Sequence, residues 1–160
     1  GFLLYIVGIK GGQTMKMKKS MLKIAVIPVV LMISTVMVSG SGPEADISML
    51  ICQRTDIMNE YFSGQILYKE AADRIEKIEK GRLLTEDLIA MKEYFQTDIE
   101  EVTAYEITKV DITEADETLI CAVVTVCWEV YGTDGEENIE GIYSVIAEKC
   151  ENSYKLVQFF

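Results

Sequence analysis

The sequence TLICAVVTVCWEVY, residues 118–131, has the strongest strand pattern in the chain. Its odd-numbered positions mix apolar, thiol, hydroxyl and carboxylate side chains. Its even-numbered positions are all apolar: Ile120, Ala122, Val124, Val126, Trp128 and Val130. Successive side chains of a strand point to opposite faces of a sheet, so we predict that helices cover the even face. The odd face should stay partly open, either to solvent or to a second copy of the chain.

Other segments complete a predicted antiparallel meander. Residues 102–112 alternate, but the parity of their inward side chains changes between Ile107 and Val110. A β-bulge near residues 108–109 would account for that change, because it adds one residue to the strand. The remaining predicted segments are turns at 132–135 and 151–153 and strands at 139–149 and 154–160.

The residues before this sheet have helical spacing. Apolar side chains recur at three- and four-residue intervals after Pro43, which can begin a helix, and Gly64 marks its end. A second helix is predicted at residues 68–80, closed by Gly81. A third is predicted from Thr85 to near Asp98, with one side formed by Leu88, Met91, Lys92 and Phe95. The predicted fold class is α+β, with N-terminal helices packed on a curved, mainly antiparallel four-stranded sheet.

This order of elements resembles the cone-shaped fold of the nuclear transport factor two-like superfamily. The resemblance rests on the bulged strand 102–112, the long hairpin of 118–131 and 137–149, and the ending SYKLVQF at 153–159. That ending is similar to the closing strand of small secreted members from Gram-positive bacteria. The resemblance implies a curved sheet wrapped around a long N-terminal helix. It does not imply one activity, because the superfamily includes isomerases, dehydratases, transport adaptors and scaffolds of secretion machines.

The charge of the chain changes sharply near residue 43. Residues 1–43 hold five of the 15 basic residues and none of the 26 acidic ones, so residues 44–160, with ten bases and 26 acids, have a formal charge of about −16. Residues 15–42 have the three parts of a secretory signal: lysines, the apolar run 24–38 and a small-residue segment. We therefore expect an extracytoplasmic protein, secreted or associated with the surface of a Gram-positive cell. Retention of residues 21–38 as a membrane anchor is the alternative.

Three segments follow from this pattern. Residues 1–14 are interpreted as translated upstream DNA or as an extension, because Met15 directly precedes the lysines of the signal. Residues 15–42 are the signal peptide or anchor, and residues 43–160 are a single α+β domain of a size that can bury a core.

Composition excludes several functions. The chain has no histidine, so it lacks the usual general base and the commonest metal ligand. A domain with a charge near −16 would repel nucleic acid, and no phosphate-binding loop follows a strand. No catalytic, cofactor-binding or metal-binding residue is assigned, and no cofactor is expected.

The four cysteines are expected to be mostly buried free thiols that pack as small apolar groups. Cys121 and Cys127 lie about 20 Å apart along one strand, beyond the reach of a disulfide. The hairpin register places them opposite Ile146 and Glu140, and Cys150 about 13 Å beyond Ile146. One bridge from Cys52 to a strand cysteine is the alternative, since export favours oxidation. A metal site is not expected, because no Cys-x-x-Cys spacing is present.

Two acidic clusters and several strand residues are candidates for chemistry. The clusters Asp111/Glu114/Asp116/Glu117 and Asp134/Glu136/Glu137 could hold calcium weakly, but solvated turns explain them better. An isomerase of the resembled fold would pair a carboxylate with a tyrosine inside the cone. The candidate tyrosines are Tyr143 and Tyr105, and the candidate bases are Glu106, Glu129 and Glu140. Core packing is the preferred explanation of the tyrosines.

Three functions remain open on the sequence. The preferred one is a non-catalytic exported or cell-surface domain that binds an unknown protein or small ligand, with a homodimer through the sheet as a further possibility. The second is a membrane-anchored scaffold subunit of a secretion or conjugation machine. The third is a small isomerase or lyase that uses a carboxylate and a tyrosine.

Overall fold

The computed structural model describes residues 42–95, 101–132 and 135–160. The predicted signal run and residues 1–14 lie outside this range. The described elements are α1 (Pro43–Phe62), α2 (Tyr68–Ile78), α3 (Gly81–Glu93), β1 (Glu101–Ala115), β2 (Leu119–Gly132), β3 (Gly135–Cys150) and β4 (Ser153–Phe159). The strands form one antiparallel sheet in the order β1-β2-β3-β4. The predicted α+β class is confirmed, with the helices first and the sheet after them.

The even face of β2 forms the floor of the core, as its alternation predicts. All six even-numbered apolar side chains are buried, and Trp128 is fully buried among them. From the other side, α1 contributes Ile47, Leu50 and Ile51 to the same cluster. Each such side chain contributes roughly 1.5–3 kcal/mol when it leaves water, so this face determines which side of the sheet the helices cover.

The strand register agrees with the hairpin prediction. Cys121 pairs with Ile146 and Cys127 pairs with Glu140 across β2 and β3. The predicted bulge in β1 is present between Ile107 and Lys109. Two further bulges were not predicted, at Val102/Ala104 and Ile112/Glu114. Bulges increase local twist, so β1 bends along its 15 residues.

The second predicted helix is two residues too long. Helix α2 ends at Ile78, because Glu79 adopts an extended conformation and bridges Leu156 of β4. The Lys80 amide then donates to the Leu156 carbonyl oxygen at 2.9 Å. This tertiary pairing stops the helix, although the local sequence would continue it.

The third predicted helix had the wrong bounds, and only part of its predicted side, Met91 and Leu88, packs in the interior. Gly81 does not close α2; it begins α3, four residues before the predicted start at Thr85. The helix ends at Glu93, short of the predicted end near Asp98, which lies outside the described residues. Its buried residues are Leu83, Asp87, Ala90 and Met91. An acid therefore occupies the inner face, and Lys92 and Phe95 are exposed.

The three helices have a small core of their own. It consists of Ile57, Met58, Tyr61, Ala71, Ile75 and Met91. The Tyr61 hydroxyl donates to the Met91 carbonyl oxygen at 2.8 Å, which ties α1 to α3. Across the described part of the chain, none of the helices combines the length and apolarity that crossing a membrane requires.

Candidate functional site

The outer face of the sheet, opposite the helices, presents an apolar surface. Val123 and Ile142 are 36% and 68% exposed, and they lie on this face because Val123 pairs with Ser144 and Thr125 pairs with Ile142. Phe160, 61% exposed, exchanges two backbone hydrogen bonds with Ser144, so it occupies the same face. We call Val123, Thr125, Ile142, Ile146 and Phe160 the outer patch.

Carboxylates border the outer patch on β1 and toward the β2–β3 turn. Apart from Asp111, the exposed acidic side chains at outer-face register positions of β1, β2 and β3 are Glu106, Glu114, Glu129, Glu136 and Glu140. None of these five makes an ion pair with another described residue. On β1, the Lys109 ammonium is already paired with Asp111 at 2.6 Å. The margin of the patch is therefore strongly negative.

The candidate catalytic bases all belong to this margin. Glu106, Glu129 and Glu140 are exposed on the outer face, on the opposite side of the sheet from the buried Tyr143. The structure therefore does not bring any of them into an inner pocket with a tyrosine. Glu129 stands at an odd-numbered position of β2, on the face opposite the all-apolar one.

Tyr143 is a packing residue. It is buried, its hydroxyl accepts a hydrogen bond from Trp128 Nε1 at 2.9 Å, and its ring stacks on Phe159 with centroids 4.6 Å apart. Burial raises the pKa of Tyr143 to about 12. Its ring and hydroxyl lie against Gly141, where any Cβ would overlap them. This arrangement agrees with the preferred explanation by core packing.

Tyr105 does meet a carboxylate, although not a predicted one. Its hydroxyl donates to Asp56 Oδ1 on α1 at 2.9 Å and also lies 3.3 Å from the Cys52 carbonyl oxygen. Burial raises the pKa of both Asp56 and Tyr105. The pair lies between α1 and β1. Nothing in the sequence spacing could have joined these two residues, which are 49 positions apart.

The cysteines are free thiols, but they are half-buried rather than mostly buried. Burial raises the pKa of Cys52, and burial with the nearby Glu114 and Asp116 raises the pKa of Cys121. Cys127 Sγ lies 4.0 Å from Glu140 Oε2 on the outer face. Raised thiol pKa values make Cys52 and Cys121 poor nucleophiles at neutral pH.

The first acidic cluster is used by a turn. Asp116 Oδ1 accepts hydrogen bonds from the Thr118 amide and hydroxyl and from the Leu119 amide, all within 2.9 Å. The bonds from Thr118 and then Leu119 lower the pKa of Asp116. Asp134 of the second cluster lies outside the described residues. Over residues 42–95, 101–132 and 135–160, no group of three or more acidic or cysteine side chains could hold a metal ion.

A buried charge cluster was missed by sequence reasoning. Arg54 of α1 donates two hydrogen bonds of 2.8 Å, from Nε and one Nη, to the two oxygens of Asp87 on α3. Its guanidinium also lies 5.1 Å from the centre of the Phe159 ring. Glu79, fully buried, places Oε1 3.1 Å from Arg54 Nε. A single guanidinium thus faces two carboxylates inside the protein.

Glu79 is the member of this cluster that lacks hydrogen bonds. The single N–H at Arg54 Nε points to Asp87, and neither Glu79 oxygen has a hydrogen-bond partner among the described residues. Burial, and next the neighbouring Asp87 carboxylate, hold the pKa of Glu79 well above its usual range. A protonated Glu79 makes the cluster neutral, since one guanidinium then balances one carboxylate. The sequence carried one sign of this cluster: Arg54, a charged residue, lies on the apolar side of α1.

Comparisons with known proteins assign no family. No protein-family model matches the chain, and no curated protein matches it. A solved structure, the intermembrane space region of the chloroplast protein ARC6, matches with 12% identity and a TM-score of 0.48, covering 76% of this chain and 97% of that one. The resemblance to the nuclear transport factor two-like superfamily stays a prediction.

Proposed function

We propose that residues 43–160 form an exported, non-catalytic domain that binds a protein partner through the outer patch. The observation that carries this proposal is the apolar centre of the open sheet face, where Ile142 and Phe160 are both more than half exposed. Exposed apolar surface rimmed by polar residues marks interaction sites in soluble proteins. The helices already cover the other face of the sheet, so a partner would cover the face that is still open.

The margin indicates the chemistry of that partner. Unpaired carboxylates such as Glu106, Glu114 and Glu140 border the patch on β1 and toward the β2–β3 turn, so a complementary surface has an apolar centre and basic groups facing those sides. A second copy of the chain fits less well, because stacking two such faces would bring like charges together. A homodimer is therefore one outcome of the test rather than the expected one.

Two features support a non-catalytic role. Large side chains, including Trp128 and Tyr143, fill the space between helices and sheet. The carboxylates predicted as bases lie outside, and the raised pKa values of Cys52 and Cys121 disfavour thiolates. Export itself is inferred from the cationic, apolar leader. A membrane-anchored scaffold is the version of this proposal in which the leader is retained.

Site-specific photo-crosslinking in the producing cell tests the proposal. A photoreactive phenylalanine analogue replaces Ile142 in the outer patch. In the matched control it replaces Leu67, which is 80% exposed in the α1–α2 loop. We expect one discrete adduct from position 142 and none of that size from position 67, and cell fractionation of the adduct separates a soluble from an anchored protein.

Two results would count against the proposal. Equal, diffuse adducts from both positions would show that the patch has no specific partner. An adduct of twice the chain mass would replace the heterologous partner with a second copy.

The Asp56–Tyr105 pair favours a second candidate, an isomerase or lyase that abstracts a proton. Its hydrogen bond of 2.9 Å joins the two residue types that such chemistry needs. The test is solvent exchange: enolisable carbonyl compounds are incubated with the domain in D₂O, and deuterium at the α-carbon is followed by NMR. Exchange that Asp56→Asn abolishes would support this candidate, and exchange at the buffer rate for every compound would exclude these substrates.

A further inference from the structure

A groove separate from the outer patch runs along the opposite, helical side of the molecule. It lies between α1, α2 and the turn that joins β3 to β4, and its volume is about 300 Å³. That volume is at the lower end of the range for small-molecule sites. Its apolar lining comes from Met49, Leu50, Ile78 and the ring of Tyr154.

Two lysines without carboxylate partners meet at this groove. Five of the ten basic side chains in the described residues are ion-paired, for example Arg74 with Glu60 and Lys80 with Glu148. Lys77 and Lys149 both line the groove, and neither forms an ion pair with any described residue. The lining includes one acidic side chain, Asp46, so the groove has a net positive charge. That is a local reversal of sign in a domain with a large excess of acids.

The Lys149 ammonium group is held in position before any ligand binds. The Tyr154 hydroxyl donates to the Asp116 carbonyl oxygen at 3.1 Å, which fixes the ring at the groove wall. Lys149 Nζ lies over that ring, 4.5 Å from its centre. A cation–π contact of this kind holds the ammonium while leaving its N–H groups available to an anion. Lys77 enters from the last turn of α2.

From this arrangement we infer that the groove binds an amphipathic organic anion. The apolar body of the ligand would lie against Met49, Leu50 and Ile78, and its anionic group would lie between the ammonium groups of Lys77 and Lys149. Because the groove is open to water, each ammonium should change affinity about two- to fivefold, and the affinity should fall as salt is added. The inference does not depend on the proposed function of the outer patch.

Titration with 8-anilinonaphthalene-1-sulfonate, an aromatic sulfonate that fluoresces in apolar surroundings, tests the inference. The assay uses the protein containing residues 43–160 that is obtained by expressing the full chain. The double variant Lys77→Ala/Lys149→Ala should raise the dissociation constant roughly tenfold. Lys69→Ala removes an exposed lysine from the same helix and should leave the constant unchanged. Lys77→Arg, which keeps the charge, should restore most of the affinity relative to Lys77→Ala.

The outer patch could also attract this probe, so Ile142→Ser is included as a second control. Amide NMR shifts should move at Gln53 and Asn152, which line the groove, and binding should persist in Ile142→Ser. Loss of binding in Ile142→Ser with no effect of the lysine variants would overturn the inference. So would an absence of probe binding to the folded wild-type domain.

Discussion

Replacing Glu79 with glutamine should stabilise the domain, and the gain should grow with pH. The folded protein holds the pKa of Glu79 well above its usual range, chiefly by burial and then by the Asp87 carboxylate. In the unfolded chain the same group titrates near pH 4.3. Between the unfolded and the folded pKa, Glu79 is protonated in the folded protein and ionised in the unfolded chain. A rise in pH within this range therefore lowers the free energy of unfolding of the wild type. Glutamine has no proton to retain.

The expected magnitude follows from that linkage. One proton difference is worth about 1.4 kcal/mol per pH unit. Between the unfolded and the folded pKa of Glu79, the variant's advantage in free energy of unfolding should therefore increase with every pH unit, by up to about 1.4 kcal/mol. The other ionisable groups affect both proteins alike and cancel in the difference.

Urea unfolding at pH 5, 6, 7 and 8, followed by tryptophan fluorescence of the buried Trp128, measures the difference. Glu76→Gln is the matched control, because it neutralises an exposed carboxylate near the end of α2, three residues before Glu79, and should change stability by less than about 0.5 kcal/mol. A difference between Glu79→Gln and wild type that stays constant with pH would show that Glu79 is ionised in the folded protein. A destabilised variant would show that its charge is needed beside Arg54.

Three other changes test the interior and the thiols. Arg54→Met should lower the free energy of unfolding by about 3–5 kcal/mol at pH 7, because it leaves the buried Asp87 without its two hydrogen bonds. A smaller decrease in urea unfolding would mean that water reaches the cluster. Gly141→Ala should cost more than 1 kcal/mol, because its Cβ would overlap the Tyr143 ring, and Tyr143→Leu in the same background should recover part of that loss. Alkylation of the mature protein should add four adducts without reductant, as four free thiols require; two adducts, rising to four after reduction, would reveal a bridge.

The sheet was predictable because the patterns that determine it lie within short, continuous segments of the sequence. Period-two alternation in residues 118–131 identified the buried face, and the turn at 132–135 set a register that the structure reproduces at Cys121 and Cys127. One bulge in β1 was visible as a change of parity. The other two lie near the ends of the strand, where too few inward residues remain to show such a change.

The helix ends and the interior chemistry were not predictable in the same way. Helix α2 stops at Ile78 because Glu79 pairs with Leu156, a contact between residues far apart in the chain. Arg54, Asp87 and Glu79 come from three separate segments, and nothing in the sequence shows that the three meet. The partly open outer face was expected from the alternation in residues 118–131, whereas the carboxylates at its margin depended on how β1 and β3 align with β2.

Thiol labelling at three positions tests most directly whether a partner covers the open sheet face of an exported domain. The native cysteines are first replaced by serine or alanine. One new cysteine is then introduced at a time, as Leu67→Cys, Val124→Cys or Ile142→Cys. A membrane-impermeant maleimide is applied to intact cells and to purified protein. Leu67 and Ile142 are exposed, and Val124 is fully buried. In the purified domain, positions 67 and 142 should label and 124 should not. On intact cells, position 67 should still label and position 142 should be protected. Equal labelling of 67 and 142 on cells would contradict a covered outer patch, and no labelling of 67 on cells would contradict export.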